Sequence, residues 1–136
     1  KPGITFKDIT PLLADAGALA VAVEGLSRPF AGLGITKVVG MEARGFIFAA
    51  PVAVALGAGF VPVRKAGKLP WAVNRQEYQL EYGTDLLEIH QDAVSAADRV
   101  LVIDTDVAGW VRSKPPYSTF MSSSVAMLTP ELPTLP

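Results

Sequence analysis

The sequence predicts an α/β domain with a central, mostly parallel sheet flanked by helices. Short β-branched runs at residues 35–39 and 60–63 have the character of strands, and residues 44–56 between them look helical. Within residues 99–104, residues 100–103 form a continuous apolar run of the kind that is buried on both faces of a parallel sheet. The order strand, helix, strand, insert, strand is typical of an α/β chain.

Length and composition are those of one globular domain. The chain has 136 residues, of which 50% are hydrophobic and 18% are charged, far from the composition of a disordered chain. A formal net charge of −1 argues against a nucleic-acid partner, because affinity for a phosphate backbone needs a basic surplus. No apolar run reaches the roughly 18 residues of a membrane helix, so no membrane partner is expected. The absence of cysteine suits a reducing compartment, and a cytoplasmic location is expected.

An arm and a helix are predicted to precede the first strand. Residues 1–13 carry Pro and Gly among alternating apolar and polar residues, which predicts an extended arm or loop. Asp15 can cap a helix that stops near the glycines at 32 and 34. Its core-facing stripe is predicted to contain Leu19, Val23, Leu26 and Phe30. In the second helix, Pro51 is expected to mark a kink or a break.

An insert and an unusual tail follow the second strand. Residues 66–76 contain Gly, Pro and Asn and are predicted to form a mobile loop. Apolar and polar residues alternate at 78–82 and again at 87–89, which favours an antiparallel hairpin or edge strands. Residues 110–136 hold five of the eleven prolines and five serines, without a helical stripe. We therefore predict a domain over residues 1–109 and an atypical Pro/Ser-rich tail over residues 110–136.

Charged residues follow each of the three strands that are predicted to be parallel. They are Glu42, Arg44, Arg64, Lys65, Lys68 and Asp104. Ligands of open parallel sheets bind beyond the carboxyl ends of the strands, and a helix N-terminus beside a cation suits an anion. Residues 64–76 carry four cations and no acid, and Asp104 could hold sugar hydroxyls or Mg²⁺. This pattern predicts a site for a phosphorylated sugar.

Structural explanations compete with this hypothesis. A basic run between strands is commonly a solvated loop, and an Asp after a strand is commonly a turn residue. The convergence of three charged strand ends is the observation that favours a ligand site. A metal site on His90 is not expected, because the sequence offers no second His or Cys, and apart from the option of Mg²⁺ at Asp104 no residue is predicted to ligate a metal directly.

Five segments of the chain occur in the order and spacing of one known family. They are GITFKDITPLL, MEARGFIFAAPVAVALG, GFVPVRKAGKLP, YQLEYGTDLLEIHQDAV and RVLVID. Together they resemble the adenine phosphoribosyltransferases, of the type I phosphoribosyltransferase family, over about residues 1–104. The resemblance implies transfer of ribose 5-phosphate from 5-phosphoribosyl 1-pyrophosphate (PRPP) to adenine in purine salvage, giving AMP and pyrophosphate. It also implies a homodimer, an N-terminal hood over the base, a hairpin lid, and Mg²⁺ bound mainly through PRPP.

The resemblance implies roles for residues near the base. Phe6 would stack on adenine, with the backbone of Thr5 and the side chain of Lys7 at contacting positions. Glu81 would be the acid that handles a proton near the purine. Tyr82 follows it on the closing lid, which excludes water from the reactive ribose.

A second set of implied roles concerns PRPP. The implied PRPP and pyrophosphate contacts are Arg44, Lys65 and Lys68, with Arg64 beside them and Tyr82 on the lid. Asp104 and Asp106 would hold the ribose hydroxyls. The Glu42–Ala43 turn matches a family loop that often contains a non-proline cis peptide bond.

The resemblance ends after Asp104. The family continues with a second acid and a Gly-Gly turn that cradles the 5-phosphate. Here Asp106 is displaced by one residue, the glycine pair is missing, and Trp110 lies where the turn has small residues. The chain can therefore be an active transferase or a non-catalytic nucleotide-binding remnant without the cradle. A phosphoribosyltransferase for another purine or a pyrimidine fits the FKDIT and LEYG segments less well.

Overall fold

The fold is known from a computed structural model that describes residues 8–80 and 83–104. The helices are α1 (Thr10–Ala14), α2 (Ala16–Ser27), which continues into a 3-10 turn (Arg28–Phe30), and α3 (Arg44–Leu56). The strands are β1 (Lys37–Met41), β2 (Gly59–Lys65), β3 (Val73–Leu80), β4 (Gly83–His90) and β5 (Val100–Ile103). The predicted tail lies outside the described residues, so the division at residue 109 stays a prediction.

The strands form one mixed sheet in the order β3-β4-β2-β1-β5. β1 pairs in parallel with β2 and with β5, whereas β4 runs antiparallel to both β2 and β3. The predicted α/β architecture with a parallel centre is therefore confirmed. The insert is the antiparallel part of the sheet, and the hairpin prediction is also confirmed.

The centre of the sheet is buried on both faces. Val38 of β1 is fully buried and belongs to a cluster with Ala49 and Val52 of α3. The next residue, Val39, points to the opposite face, where it packs in a second cluster with Val61 of β2. Burial of successive side chains explains why the parallel strands are apolar without alternation.

The helices agree with the sequence prediction in outline and differ in two details. Asp15 caps α2, because its Oδ1 accepts the N–H of Ala18 at 2.7 Å. Residues 10–13 are helical rather than extended, and Pro at the start of α1 costs no hydrogen bond there. Leu26 is 40% exposed, because the buried side of the last turn of α2 is formed by Val23 and Ser27, four residues apart.

Two further predictions need correction. α3 continues through Pro51, so the break does not occur, and the kink that was the other expectation stays a prediction. β3 begins at Val73 and pairs there with His90, so residues 73–76 are strand rather than loop. The length of β3 is set by pairing with β4, which a local composition does not reveal. None of the helices in residues 8–80 and 83–104 is long and apolar enough to cross a membrane.

Candidate functional site

The carboxyl ends of β1, β2 and β5 lie at one edge of the sheet. In the parallel register Met41 is opposite Val63, and Gly40 is opposite Ile103. All five of the predicted site residues that the structure describes follow or end these strands, so the fold brings them to a common edge. They are Arg44, Arg64, Lys65, Lys68 and Asp104.

The turn between β1 and α3 places Arg44 at the start of the helix. The Glu42–Ala43 peptide bond is cis, as the resemblance implies. The N–H of Glu42 donates to the carbonyl oxygen of Val63 at 2.9 Å, which fixes the turn against β2. Ala43 occupies the cap position of α3, where no side-chain hydrogen bond from the described residues closes the helix. A helix start of this kind is suited to an anion.

The start of α3 is in close contact with the end of β5. A methyl group built on Gly45 would lie 2.8 Å from the carbonyl oxygen of Ile103 and 3.7 Å from Cα of Asp104. Only glycine allows this approach without a shift of the backbone. Arg44 and the partly buried Asp104 therefore belong to adjacent stretches of backbone.

Glu42 connects this turn to the segment that ends β2. Its Oε2 accepts the N–H of Lys65 at 2.8 Å, and its Oε1 accepts a hydrogen bond from Nη2 of Arg64 at 3.3 Å. Burial raises the pKa of the Glu42 carboxyl. The Lys65 N–H, the Arg64 guanidinium and the Lys68 ammonium outweigh burial and hold that pKa below its ordinary value. Glu42 is thus an ionised group that organises its neighbours.

Residues 64–68 form what we call the basic segment. Nη1 of Arg64 donates to the carbonyl oxygen of Lys68 at 3.2 Å, so the guanidinium links Glu42 to the end of this segment. Nε of Arg64 is buried and has no hydrogen-bond partner in the described part of the chain. In the structure Arg64 holds the basic segment in place, and its implied contact with pyrophosphate stays a prediction.

Acids from other segments partly neutralise the cations of residues 64–76. Nζ of Lys65 lies 3.3 Å from Oδ2 of Asp85 on β4, and Nε of Arg75 lies 2.6 Å from Oε1 of Glu88. Within residues 8–80 and 83–104, neither Lys68 nor Arg44 makes an ion pair, and both are exposed. These two residues are the cations that remain best placed for an external anion.

Sequence reasoning missed the acids that organise the site. The sequence places Glu42 beside the helix but does not predict its bonds to β2, and no role is predicted for Asp85 or Glu88. A signal existed for Glu88, because a charged residue between Leu87 and Ile89 of a buried strand requires a partner. The remaining candidates lie outside the described residues. These are Thr5, Phe6, Lys7, Glu81, Tyr82 and Asp106.

The fold and the site define a class of protein, an α/β domain with exposed cations and an acid beyond the carboxyl ends of its parallel strands. Comparison with known proteins narrows this class. The adenine phosphoribosyltransferase of Edwardsiella ictaluri is 62% identical over 104 residues, which are 76% of this chain and 57% of that protein. The enzyme of Thermobifida fusca is 57% identical over 108 residues, 79% of this chain and 61% of that protein. No protein-family model matches the chain.

Solved structures show the same similarity. The adenine phosphoribosyltransferase of Rhodothermus marinus superposes with a TM-score of 0.68 at 56% identity, covering 75% of this chain and 58% of that one. The Saccharomyces cerevisiae enzyme, complexed with an imino-altritol bisphosphate and adenine, matches with a TM-score of 0.68 at 42% identity, covering 75% and 60%. Over about three-quarters of its length this chain is similar in sequence and in fold to adenine phosphoribosyltransferases. The chain spans less than two thirds of the length of these relatives.

Proposed function

We propose that this chain transfers ribose 5-phosphate from PRPP to adenine, giving AMP and pyrophosphate. The observation that carries the proposal is the common edge of the sheet, where exposed Arg44 and Lys68 accompany Asp104. The names of the relatives support it, as does the yeast enzyme's complex with adenine and a bisphosphate.

The reaction requires what this edge provides. Breaking the anomeric C–O bond develops positive charge on the ribose and negative charge on the departing pyrophosphate, so fixed cations near the leaving group lower the barrier. Arg44, the first amides of α3 and Lys68 would bind the pyrophosphate, with Lys65 beside them. Asp104, next to the start of α3, would accept hydrogen bonds from the ribose hydroxyls.

Mg²⁺ fits this donor set. The ion prefers a carboxylate combined with phosphate oxygens of the substrate, and Asp104 is the described carboxylate that follows β5. We propose that PRPP supplies most of its ligands. When bound, the ion would offset negative charge on the leaving pyrophosphate.

The base side of the reaction rests on the family resemblance. Phe6 would stack on adenine, Thr5 and Lys7 would contact the purine and nucleotide, and Glu81 would take up the proton released from the base. Tyr82 would lie on the lid. Asp106 would assist Asp104 at the ribose. The homodimeric state and the cytoplasmic location belong to the same proposal.

The direct test is an assay of the full chain. Labelled adenine, PRPP and Mg²⁺ should give AMP and pyrophosphate in equal amounts, with the Rhodothermus marinus enzyme as a positive control. Glu81→Gln should lower turnover with little change in binding. No AMP from this chain, while the control enzyme works, would contradict the proposal. AMP binding without turnover would instead support a nucleotide-binding remnant, and competition by hypoxanthine or guanine would support another base.

A further inference from the structure

A buried carboxylate holds the middle of the basic segment. Glu88 of β4 is 1% exposed. Its Oε1 accepts a hydrogen bond from Nε of Arg75 on β3 at 2.6 Å, and its Oε2 accepts the N–H of Gly67 at 3.0 Å. A buried charge is tolerated only when it is paired and hydrogen-bonded. Glu88 therefore uses one oxygen for the neighbouring strand and the other for the segment that carries Lys68.

The contact lies where the basic segment leaves the sheet. β2 and β4 pair through Arg64 opposite Glu88, and the last bond is the N–H of Ala66 to the carbonyl oxygen of Leu86 at 3.2 Å. The chain then turns at Gly67, whose φ of +78° is the left-handed conformation that favours glycine. Glu88 binds the amide of this turning residue.

Three anchors within four residues fix the backbone of the basic segment. Glu42 binds the N–H of Lys65, Glu88 binds the N–H of Gly67, and Arg64 binds the carbonyl oxygen of Lys68. The anchors come from the turn after β1, from β4 and from Arg64 within the segment, and none uses the ammonium group of Lys68. The exposed ammonium therefore extends from a backbone that is held on both sides.

We propose that Glu88 is a positioning residue that acts through Gly67 to fix the placement of Lys68 for pyrophosphate binding. Net stability does not explain a carboxylate here, because apolar residues often replace buried ion pairs without loss. The charge-assisted bond to the Gly67 N–H, made by a carboxylate that Arg75 itself fixes, does specify the backbone path at this turn. The part that concerns the ligand rests on the proposed function, whereas the ordering of the basic segment does not.

The test compares Glu88→Gln with Glu77→Gln in the full chain. Glu77 lies on β3 and is exposed, so it provides the same change of charge away from the contact. Glu88→Gln keeps the size of the side chain but removes the charge-assisted bonds. We expect amide hydrogen exchange at Gly67 to quicken about tenfold and the Kd of inorganic pyrophosphate to rise about tenfold. Adenine affinity should change less than about twofold, because the base is bound elsewhere.

Each outcome decides the proposal. Exchange rates and pyrophosphate affinity that match those of Glu77→Gln would overturn it, as would equal losses for pyrophosphate and adenine. If Glu88→Gln does not fold, Glu88→Asp keeps the charge but is one methylene too short to hold both partners, and the same split in affinities is expected. A wild-type chain that does not bind pyrophosphate would refute the proposed function. Amide exchange alone would then decide whether Glu88 orders the basic segment.

Discussion

The carboxylate of Glu42 binds the backbone N–H of Lys65 at 2.8 Å, although 23 residues separate them along the chain. The bond joins the turn after β1 to the end of β2, which are the two places that supply cations to the candidate site. A second bond from Arg64 reinforces it. The turn before α3 and the basic segment are thus joined through one carboxylate. The ionisation of Glu42 should therefore have a measurable effect on stability.

Glu42→Gln should lower the free energy of unfolding in a pH-dependent way. The folded-state pKa of Glu42 is depressed, so its stabilising contribution is full above the ordinary pKa and is lost as the pH falls through the folded-state pKa. We expect a loss of about 1–2 kcal/mol near pH 7 that shrinks below about pH 4. Urea denaturation at both pH values measures it, with Glu77→Gln at an exposed position of β3 as the control. A loss that is the same at both pH values would contradict the assignment.

Lys68→Ala should weaken pyrophosphate and PRPP binding but leave adenine binding unchanged. The side chain is exposed, and its carbonyl oxygen stays bound to Arg64, so the substitution removes the ammonium without freeing the backbone. A lost charge-assisted contact corresponds to about a tenfold rise in Kd or more. Calorimetric titration with each ligand tests this. Lys37→Ala, at the opposite end of β1, is the matched lysine control and should change neither affinity.

Gly45→Ala and Gly25→Ala should have opposite effects on stability. A Cβ at Gly45 would lie 2.8 Å from the Ile103 carbonyl oxygen, so the backbone must shift, at a cost of about 1–3 kcal/mol. Gly25 lies in α2 with no described atom within 4 Å of a built Cβ, and alanine there should stabilise the helix by about 0.5–1 kcal/mol. Thermal and urea unfolding compare the pair. Destabilisation by both substitutions would show that crowding at Gly45 is not the cause.

Asp15→Ala should destabilise the protein by about 1 kcal/mol. The Asp15 side chain accepts the N–H of Ala18 at 2.7 Å, which satisfies one of the unpaired amides at the start of α2. Asp15→Asn retains an acceptor and should recover most of the loss. Denaturation curves of the three proteins measure the difference. If Asn and Ala are equally destabilising, the cap is not the source of the effect.

The elements of the fold that depend on local pattern could be predicted from the sequence. The apolar runs around Val38 and Val102 gave the parallel strands because both of their faces are buried. Asp15 predicts the start of α2, because its side chain can accept a hydrogen bond from the first amides of a helix. Leu26 was wrongly placed in the core, because the rotation of a short helix about its axis depends on what it packs against. β3 was predicted too short for a related reason, since its pairing with β4 extends to Val73.

The convergence of the charged strand ends could be predicted from the sequence, but the electrostatics at that edge could not. Strand ends collect at one edge of a parallel sheet by topology, so Arg44 and Asp104 could be brought together from spacing alone. The ion-pair partners of the cations could not be predicted from spacing. Lys65 pairs with Asp85 only once β4 has paired with β2, and Arg75 pairs with Glu88 across the β3–β4 hairpin itself. A run of cations without an acid in sequence is therefore not a run of unpaired cations in the structure.

The contact of Gly45 with Ile103 has a consequence for ligand selection. Because helix and strand touch without an intervening side chain, the spacing between Arg44 and Asp104 is built into the scaffold before any ligand arrives. A molecule that bridges them need not draw the two elements together, so little ordering entropy is lost on binding. This edge of the sheet can then select ligands by the distance between their acidic group and their hydroxyl groups.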